Sequence, residues 1–449
     1  MTSALKAGKL VAFFSCLLGC LLLTGPALAE EAAKDNPLQF YKDPSGSYVK
    51  ATLQTNLAFF GQGNSWFDES EANLGEKSDN WWEYTAVPGM EGSYFTGKAG
   101  EVYARASAVA AGTDGYDAAN SNNGEESISK LRMEDAYLGW RSGDLFSSMG
   151  KDFLDISFGR QQYVAGNGFL FQNQSQNSNK RGAFWLGSRK AADYAALVRV
   201  KTGGFSGDLL YLKADDKPDS HTKAAGVTLD YAFEKLGGIG GGYYNLDSDI
   251  DARDGMNIYD ARFSLTPFAL FEGLDILKPF KLEAEYVYED TDSGFDTGNG
   301  WYVSAGYQFD SIPWKPTLTY RYASFDEDYD PLFYGFNDWG NWYQGEILGE
   351  YVLSNSNLDS HMIRLNFSPL ESVNVNLFVY DFKLHNKRAF GVSSDDYAME
   401  YDLTVDWTVN DHLMFSVVGA LADPDDGAEE QTGGDDNWTY MMLSTTISF

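Results

Sequence analysis

Charged side chains recur where the surrounding sequence alternates between apolar and polar residues. Arg105, Arg132, Arg199, Lys201, Arg262, Arg321 and Arg364 lie in such segments, as do Glu283, Glu285, Asp402 and Asp406. Alternation with a period of two marks a strand with two unlike faces, so these charges belong to a polar wall. An Arg or Lys turned toward lipid near a bilayer midplane costs about 2–4 kcal/mol, so in a membrane barrel they must face the lumen or the rims. Two chemistries fit: a basic ladder guiding anionic solutes, or pairing with lumenal acids such as Glu134, Asp193, Asp230, Glu283, Glu285, Asp402 and Asp406. Because the acids are comparable in number, strong anion selectivity does not follow.

The run from Gly159 and Arg160 to Gly168 leads into an amide-rich loop with Gln172, Asn173, Gln174, Gln176, Asn177 and Asn179. Amides both donate and accept hydrogen bonds, which suits hydroxyl-rich solutes or plain solvation. Arg160 shares the parity of Leu154, Ile156 and Phe158, so a β-bulge near Gly159 is needed to aim it inward. Asp247, Asp249 and Asp251 are carboxylates of the kind that hold Ca²⁺, but position 258 is Ile where an EF-hand closes with Glu, and a solvated loop is the default. His221, His361, His385 and His412 are scattered, and no Ser/His/Asp arrangement stands out. Neither an enzyme nor a cofactor or metal site is expected.

The elements that must hold these residues are strands. Val49, Ala51, Leu53, Leu57 and Phe59 alternate with Lys50, Thr52, Gln54 and Asn56. Similar runs surround Leu282, Val303, Leu403 and Leu443, each near the 9–11 residues that a tilted strand needs to cross a bilayer. Eighteen centres emerge, near residues 53, 87, 106, 135, 157, 196, 209, 228, 242, 262, 284, 305, 320, 364, 377, 403, 418 and 443. Pro88 and the glycines around Gly242 weaken two of them, so sixteen strands remain open. Long Asp/Asn/Gly-rich connections (61–80, 112–129, 164–188, 326–360, 423–436) alternate with short turns. This rhythm predicts an all-β, antiparallel, up-and-down transmembrane barrel over 47–449, wide enough for an aqueous channel unless a loop folds inward. Phe59, Trp81, Trp82, Tyr84, Trp140, Trp301, Trp407 and Phe449 fit interfacial girdles.

Lys6 and Lys9, the apolar run from Leu10 to Leu23 and Ala27-Leu28-Ala29 read as an export signal over 1–29, cleaved near Ala29. A lipid-modified Cys20 is the competing reading, against which Leu21, Leu22 and Leu23 follow it. Residues 30–46 read as an irregular periplasmic lead-in. Cys16 and Cys20 both lie in the signal, so the mature chain has no thiol for disulfides, zinc or haem attachment. With 33 Lys+Arg against 65 Asp+Glu the formal charge is −32, and loss of Lys6 and Lys9 makes it two units more negative. That excludes nucleic acid as a partner, since such binding requires phosphate neutralisation.

Gly159-Arg160-Gln161 followed by Gly166 and Gly168 is similar to a motif of the alginate-export family of Gram-negative outer-membrane porins. Tyr322-Ala323-Ser324 and Tyr329-Asp330-Pro331-Leu332-Phe333 resemble a second, with Phe325 in place of its glycine. The resemblance implies an eighteen-stranded barrel with a charged lumen passing solute down its gradient. Its alginate exporter is strongly basic inside, whereas Glu283, Glu285, Asp402 and Asp406 are expected inward here. The leading expectation is a passive outer-membrane channel for small hydrophilic solutes or ions. The alternatives are a polysaccharide-export pore, or a structural or adhesive barrel binding a partner through 326–360 with Trp339 and Trp342. Expected partners are outer-membrane lipid, lipopolysaccharide and the barrel-assembly machinery, which would recognise the terminal Phe449. The sequence shows no apolar protomer interface.

Overall fold

The computed structural model describes residues 38–449 except 75–79, 118, 120, 122–123, 177–180, 218 and 292–295. The signal segment, its cleavage point near Ala29 and the first part of the lead-in lie outside the described residues. Nineteen strands follow: β1 Gln39–Lys42, β2 Tyr48–Gly63, β3 Asn80–Phe95, β4 Glu101–Asp114, β5 Ser127–Arg141, β6 Leu154–Arg160 and β7 Tyr194–Thr202. Then come β8 Phe205–Lys213, β9 Lys223–Phe233, β10 Gly237–Asp247, β11 Asn257–Leu265, β12 Phe280–Asp290 and β13 Gly298–Gln308. The last are β14 Thr317–Phe325, β15 Leu358–Leu370, β16 Val373–Leu384, β17 Asp396–Asn410, β18 Leu413–Pro424 and β19 Trp438–Ser448. From β2 onward each strand pairs antiparallel with the next, and β19 pairs back onto β2, closing an eighteen-stranded barrel. Every expected centre falls inside one of these strands. Even β3 is formed: its pairing with β4 lapses only around Val87 and Pro88, where proline lacks a donor.

The departure is β1, a strand inside the expected irregular lead-in. It pairs with Tyr48–Lys50 of β2, on the edge that β19 occupies from Gln54 onward. Phe449 and Leu53 exchange both backbone hydrogen bonds at 2.9 and 3.2 Å, and Ala51 donates to the Leu38 carbonyl at 2.9 Å. β1 and the C-terminal strand β19 thus share one lane at the seam. The Phe449 ring faces outward and stacks on His412 at 4.6 Å. Phe449→Ala therefore removes lipid-side packing at the seam and nothing in the lumen. The expected result is less folded barrel, read by heat-modifiable gel mobility, with unchanged single-channel conductance.

Side-chain exposure divides the wall into two faces. Leu57, Met90, Leu131, Leu138, Phe158, Leu209, Leu229, Ile239, Ile363 and Leu443 are exposed on the outside, an apolar surface far too extensive for a water-facing wall. Trp82, Tyr84, Tyr243, Tyr259 and Tyr286 add exposed aromatics to it. Trp81 departs from the girdle expectation: it faces the interior and stacks on Phe60 at 4.9 Å. Asn80 begins β3, so the parity of that strand sends Trp81 inward with Glu83 and Thr85, and Trp82 outward.

Candidate functional site

The lumen is shaped by two connections that fold into the barrel, 161–193 and 326–357. The first turns inward at Gly159, whose φ of +129° admits glycine readily; a Cβ there would stand 2.3 Å from the Ala136 carbonyl. Register with β5 is regular at this point, so the expected bulge is absent and the glycine conformation itself re-aims Arg160. The register shift lies instead on β5, between Met133 and Ala136, opposite Ala106/Ala108 of β4. It places Glu134 and Asp135 both inward and brings Arg141 to the lumen, a residue that strict alternation from Arg132 would have sent outward.

The two motif segments, distant in sequence, meet inside the barrel. Phe171 and Phe333 form a bridge, the Gln172 amide donates to the Phe333 carbonyl at 2.8 Å, and Gly335 donates to Gly168 at 3.3 Å. Phe169 packs its ring on Phe325, Tyr302 and Trp342 at 4.6–5.6 Å. Both motifs are thus the mutual brace of the inward connections. The amides of the first one serve the same end: Gln174 is buried and makes a two-way pair with the Tyr163 backbone at 2.8 Å. Asn177 and Asn179 lie outside the described residues.

Beside this brace, three guanidinium groups converge on one carboxylate. Arg160 and Arg189 reach Asp215 at 2.6 Å and Arg181 at 2.7 Å; Arg160 also approaches Asp193 at 3.5 Å. Burial works to raise the Asp215 carboxyl, but the hydrogen bonds and charges of Arg181 and Arg160 outweigh it and hold the group below its ordinary value. Asp215 follows β8 directly, so this cluster fastens the first inward connection to the wall.

The second connection has two halves of different character. Residues 326–342 are tied by charge: Arg253 holds Asp330, Arg364 holds Asp338 at 2.7 Å, and the Trp339 indole donates to Asp406 at 2.7 Å. Residues 343–353 sit on β17, where Glu400 accepts the amides of Ile347 and Leu348 at 2.8 Å each. Across the lumen Tyr351 stacks on Trp185 of the first connection at 4.2 Å. Trp339 and Trp342 are therefore inside the barrel and unavailable as an external adhesive surface.

A cavity of about 650 Å³ opens toward the end of the barrel that carries β1 and Phe449, lined by Gln54, Asn56, Tyr103, Tyr137, Gln161, Gln162 and Ser188 together with charged groups. Those are Arg105, Arg141, Lys190 and Arg199, against Glu134, Asp135 and Asp155. Arg105 bridges Glu91 at 2.7 Å and Asp135 at 2.8 Å; Arg141 bridges Glu101 at 2.5 Å and Asp155 at 3.3 Å. Among the described residues Arg199 and Lys190 form no ion pair. The alternative left open by the sequence thus resolves residue by residue, with most arginines paired to acids, whereas Arg199 forms no ion pair among the described residues and acts on Asp208 of β8 through its charge alone.

The remaining expected positions are distributed along the inner wall. Arg262 pairs with Asp230 at 2.9 Å and with Asp260, lying flat across β10 because Gly240 leaves room: a Cβ there would meet Asp230 at 2.0 Å and Arg262 at 3.1 Å. Glu285 is buried on the same face, and Glu283 pairs with Lys281 at 2.7 Å. Arg321 is buried, stacks on Trp342 at 4.9 Å and donates to Gln344 at 3.3 Å. Asp402 is buried beneath residues 343–353. Lys201 and Arg132 are exposed; Lys201 shares the face of Arg199, and Arg132 that of Glu134. Of the weak calcium candidates, Asp247 engages Lys223 and Asp249 engages His221, and no cluster of three or more metal-binding side chains occurs among the described residues.

No protein-family model matches the chain, and no curated protein matches it significantly. Solved structures do. Acinetobacter baumannii OccAB1 is similar over 89% of this chain and 97% of its own, with 13% identity and a TM-score of 0.54. The outer membrane protein OprD from Pseudomonas aeruginosa matches over 89% and 94%, with 12% identity and a TM-score of 0.55. Pseudomonas aeruginosa OccK8 (OprE) matches over 89% and 98%, with 12% identity and a TM-score of 0.56. At this identity the likeness is one of fold. It supports a porin-type barrel and gives no support to the alginate-export resemblance.

Proposed function

We propose that this chain is a passive channel of the Gram-negative outer membrane, passing small hydrophilic solutes or ions through a charged lumen narrowed by two inward connections. The observation that carries this reading is a closed eighteen-stranded wall, apolar outside, around a polar cavity of about 650 Å³. The fold shared with OprD, an outer membrane protein, supports the location. The surrounding lipid, lipopolysaccharide and the assembly machinery are the partners this placement implies. A polysaccharide conduit is disfavoured because two connections, braced on each other through Phe171–Phe333 and Trp185–Tyr351, occupy the lumen that such a polymer would thread. An adhesive barrel is disfavoured because Trp339 and Trp342, the aromatics it would use, are engaged inside with Asp406 and Phe169.

Pore-lining roles fall to the cavity residues, with paired arginines bracing the wall and Arg199 acting on permeant charge. Purified protein in liposomes should admit small sugars and exclude oligosaccharides, measured by osmotic swelling; equal exclusion of all solutes and ions would remove the reading. Arg199→Gln should lower the anion-to-cation permeability ratio by about twofold, because an unpaired charge in a low-dielectric cleft dominates the local field. Reversal potentials in a salt gradient measure it, and an unchanged ratio would show that Arg199 does not control permeation.

A further inference from the structure

Residues 343–353 are seated among acids with no cation to match. Glu346 and Glu350 project from this segment into the region of Glu83 on β3 and Glu400 and Asp402 on β17, and among the described residues no ion pair reaches any of the five. The other titratable groups facing them are Asp406 of β17, Asp117 of the 115–126 connection, Tyr380 of β16, Tyr440 of β19, Tyr334 of the 326–342 half, and Tyr343 and Tyr351 of the segment itself. The cation in reach is Arg321, on the far side of Tyr380 and already engaged with Trp342 and Gln344. The buried hydroxyls of Tyr351 and Tyr380 at this seat have no hydrogen-bond partner, and the Glu400 and Asp402 carboxyls lie within hydrogen-bonding reach of each other, a contact that needs a proton between them. Approach is close: a Cβ on Gly345 would stand 2.6 Å from Glu400. The adjoining 326–342 half, in contrast, is fastened by Arg253 and Arg364.

We propose that 343–353 is a proton-held gate: it narrows the lumen while Glu346 and Glu350 carry protons, and leaves its seat when they ionise against Glu83, Glu400 and Asp402. The inference rests on the channel reading above and names its regulation. Uncompensated carboxylates at this spacing repel strongly in a medium of low dielectric, whereas protonated ones do not. Burial first, then the charges of Glu400 and Asp406, push the Glu346 carboxyl up to about 8; burial together with Glu346, Glu400 and Glu83 raises Glu350 further from its ordinary value. A carboxyl raised in the seated state stabilises the seat at low pH, and that stabilisation is lost as pH rises through its raised value. Acid therefore narrows the channel and alkali widens it.

The test is single-channel recording of the purified chain between about pH 6 and pH 9.5. Conductance should rise by about threefold or more across this range, since two acids must ionise together to shift the equilibrium. Glu346→Gln with Glu350→Gln should stay at the low-pH level throughout. A variant in which a Gly/Ser linker replaces 343–353 should conduct at the high level at every pH. A flat wild-type profile beside a conducting linker variant, or a glutamine variant that responds like wild type, would overturn the gate and leave the channel standing. Silence from all variants, linker included, would overturn the channel reading itself.

Discussion

Replacing residues 326–357 with a short flexible turn raises single-channel conductance by about an order of magnitude, because a barrel of this strand number otherwise encloses an aqueous bore. The wall does not depend on the excised segment. β14 and β15 pair continuously from Thr317 with Asn366 to Phe325 with Leu358, so a turn can join them directly. The excision removes the Tyr351–Trp185 stack, the Trp342 packing on Phe169 and the cover over Phe378, Tyr380 and Phe382. Those rings then meet water, which lowers stability without breaking the strand ladder. Conductance equal to that of the intact chain would mean that the inward connections do not limit flow.

Asp215→Ala has the largest expected effect on stability. It leaves Arg181 and Arg189 without an acid partner and Arg160 with Asp193 alone, and removing one partner from a buried charge cluster costs about 3–5 kcal/mol. The expected result is a lower thermal midpoint and faster proteolysis within 161–193, with the strand wall retained. Combining it with Arg181→Gln should recover part of the loss, since the second change removes one of the stranded charges; strict additivity would argue against a coupled cluster. The pH dependence runs opposite to that of the gate. Asp215 is held below its ordinary value, so its contribution is present above that value and fades as pH falls through the depressed one. Acid loosens the first connection and alkali the second.

The wall was legible because each of its strands obeys one rule. Alternation located all eighteen, including the one holding Pro88, and set the inward faces of Arg105, Arg199, Arg262, Arg321 and Arg364. It failed wherever one residue breaks the period. The extra residue between Met133 and Ala136 hides Arg141, and the left-handed backbone at Gly159 hides how Arg160 turns. Trp81 was misplaced because tryptophan near a strand end suggests a girdle whatever its parity. Alternation says nothing about whether a loop goes outward or inward, yet the loops carry a signal of another kind. Phe169, Leu170, Phe171 and Trp185 in one, with Trp342, Ile347, Leu348 and Tyr351 in the other, are too apolar for solvated external loops. Asp215 and the seat of Glu346 remained hidden because each is assembled from segments far apart in sequence.

Planar-bilayer recording of the purified, folded chain tests the central claim most directly. The account predicts discrete conductance steps, linear with voltage at fixed pH, whose size grows when 326–357 is excised. A correctly folded barrel that inserts yet passes no current, with or without that segment, would contradict it.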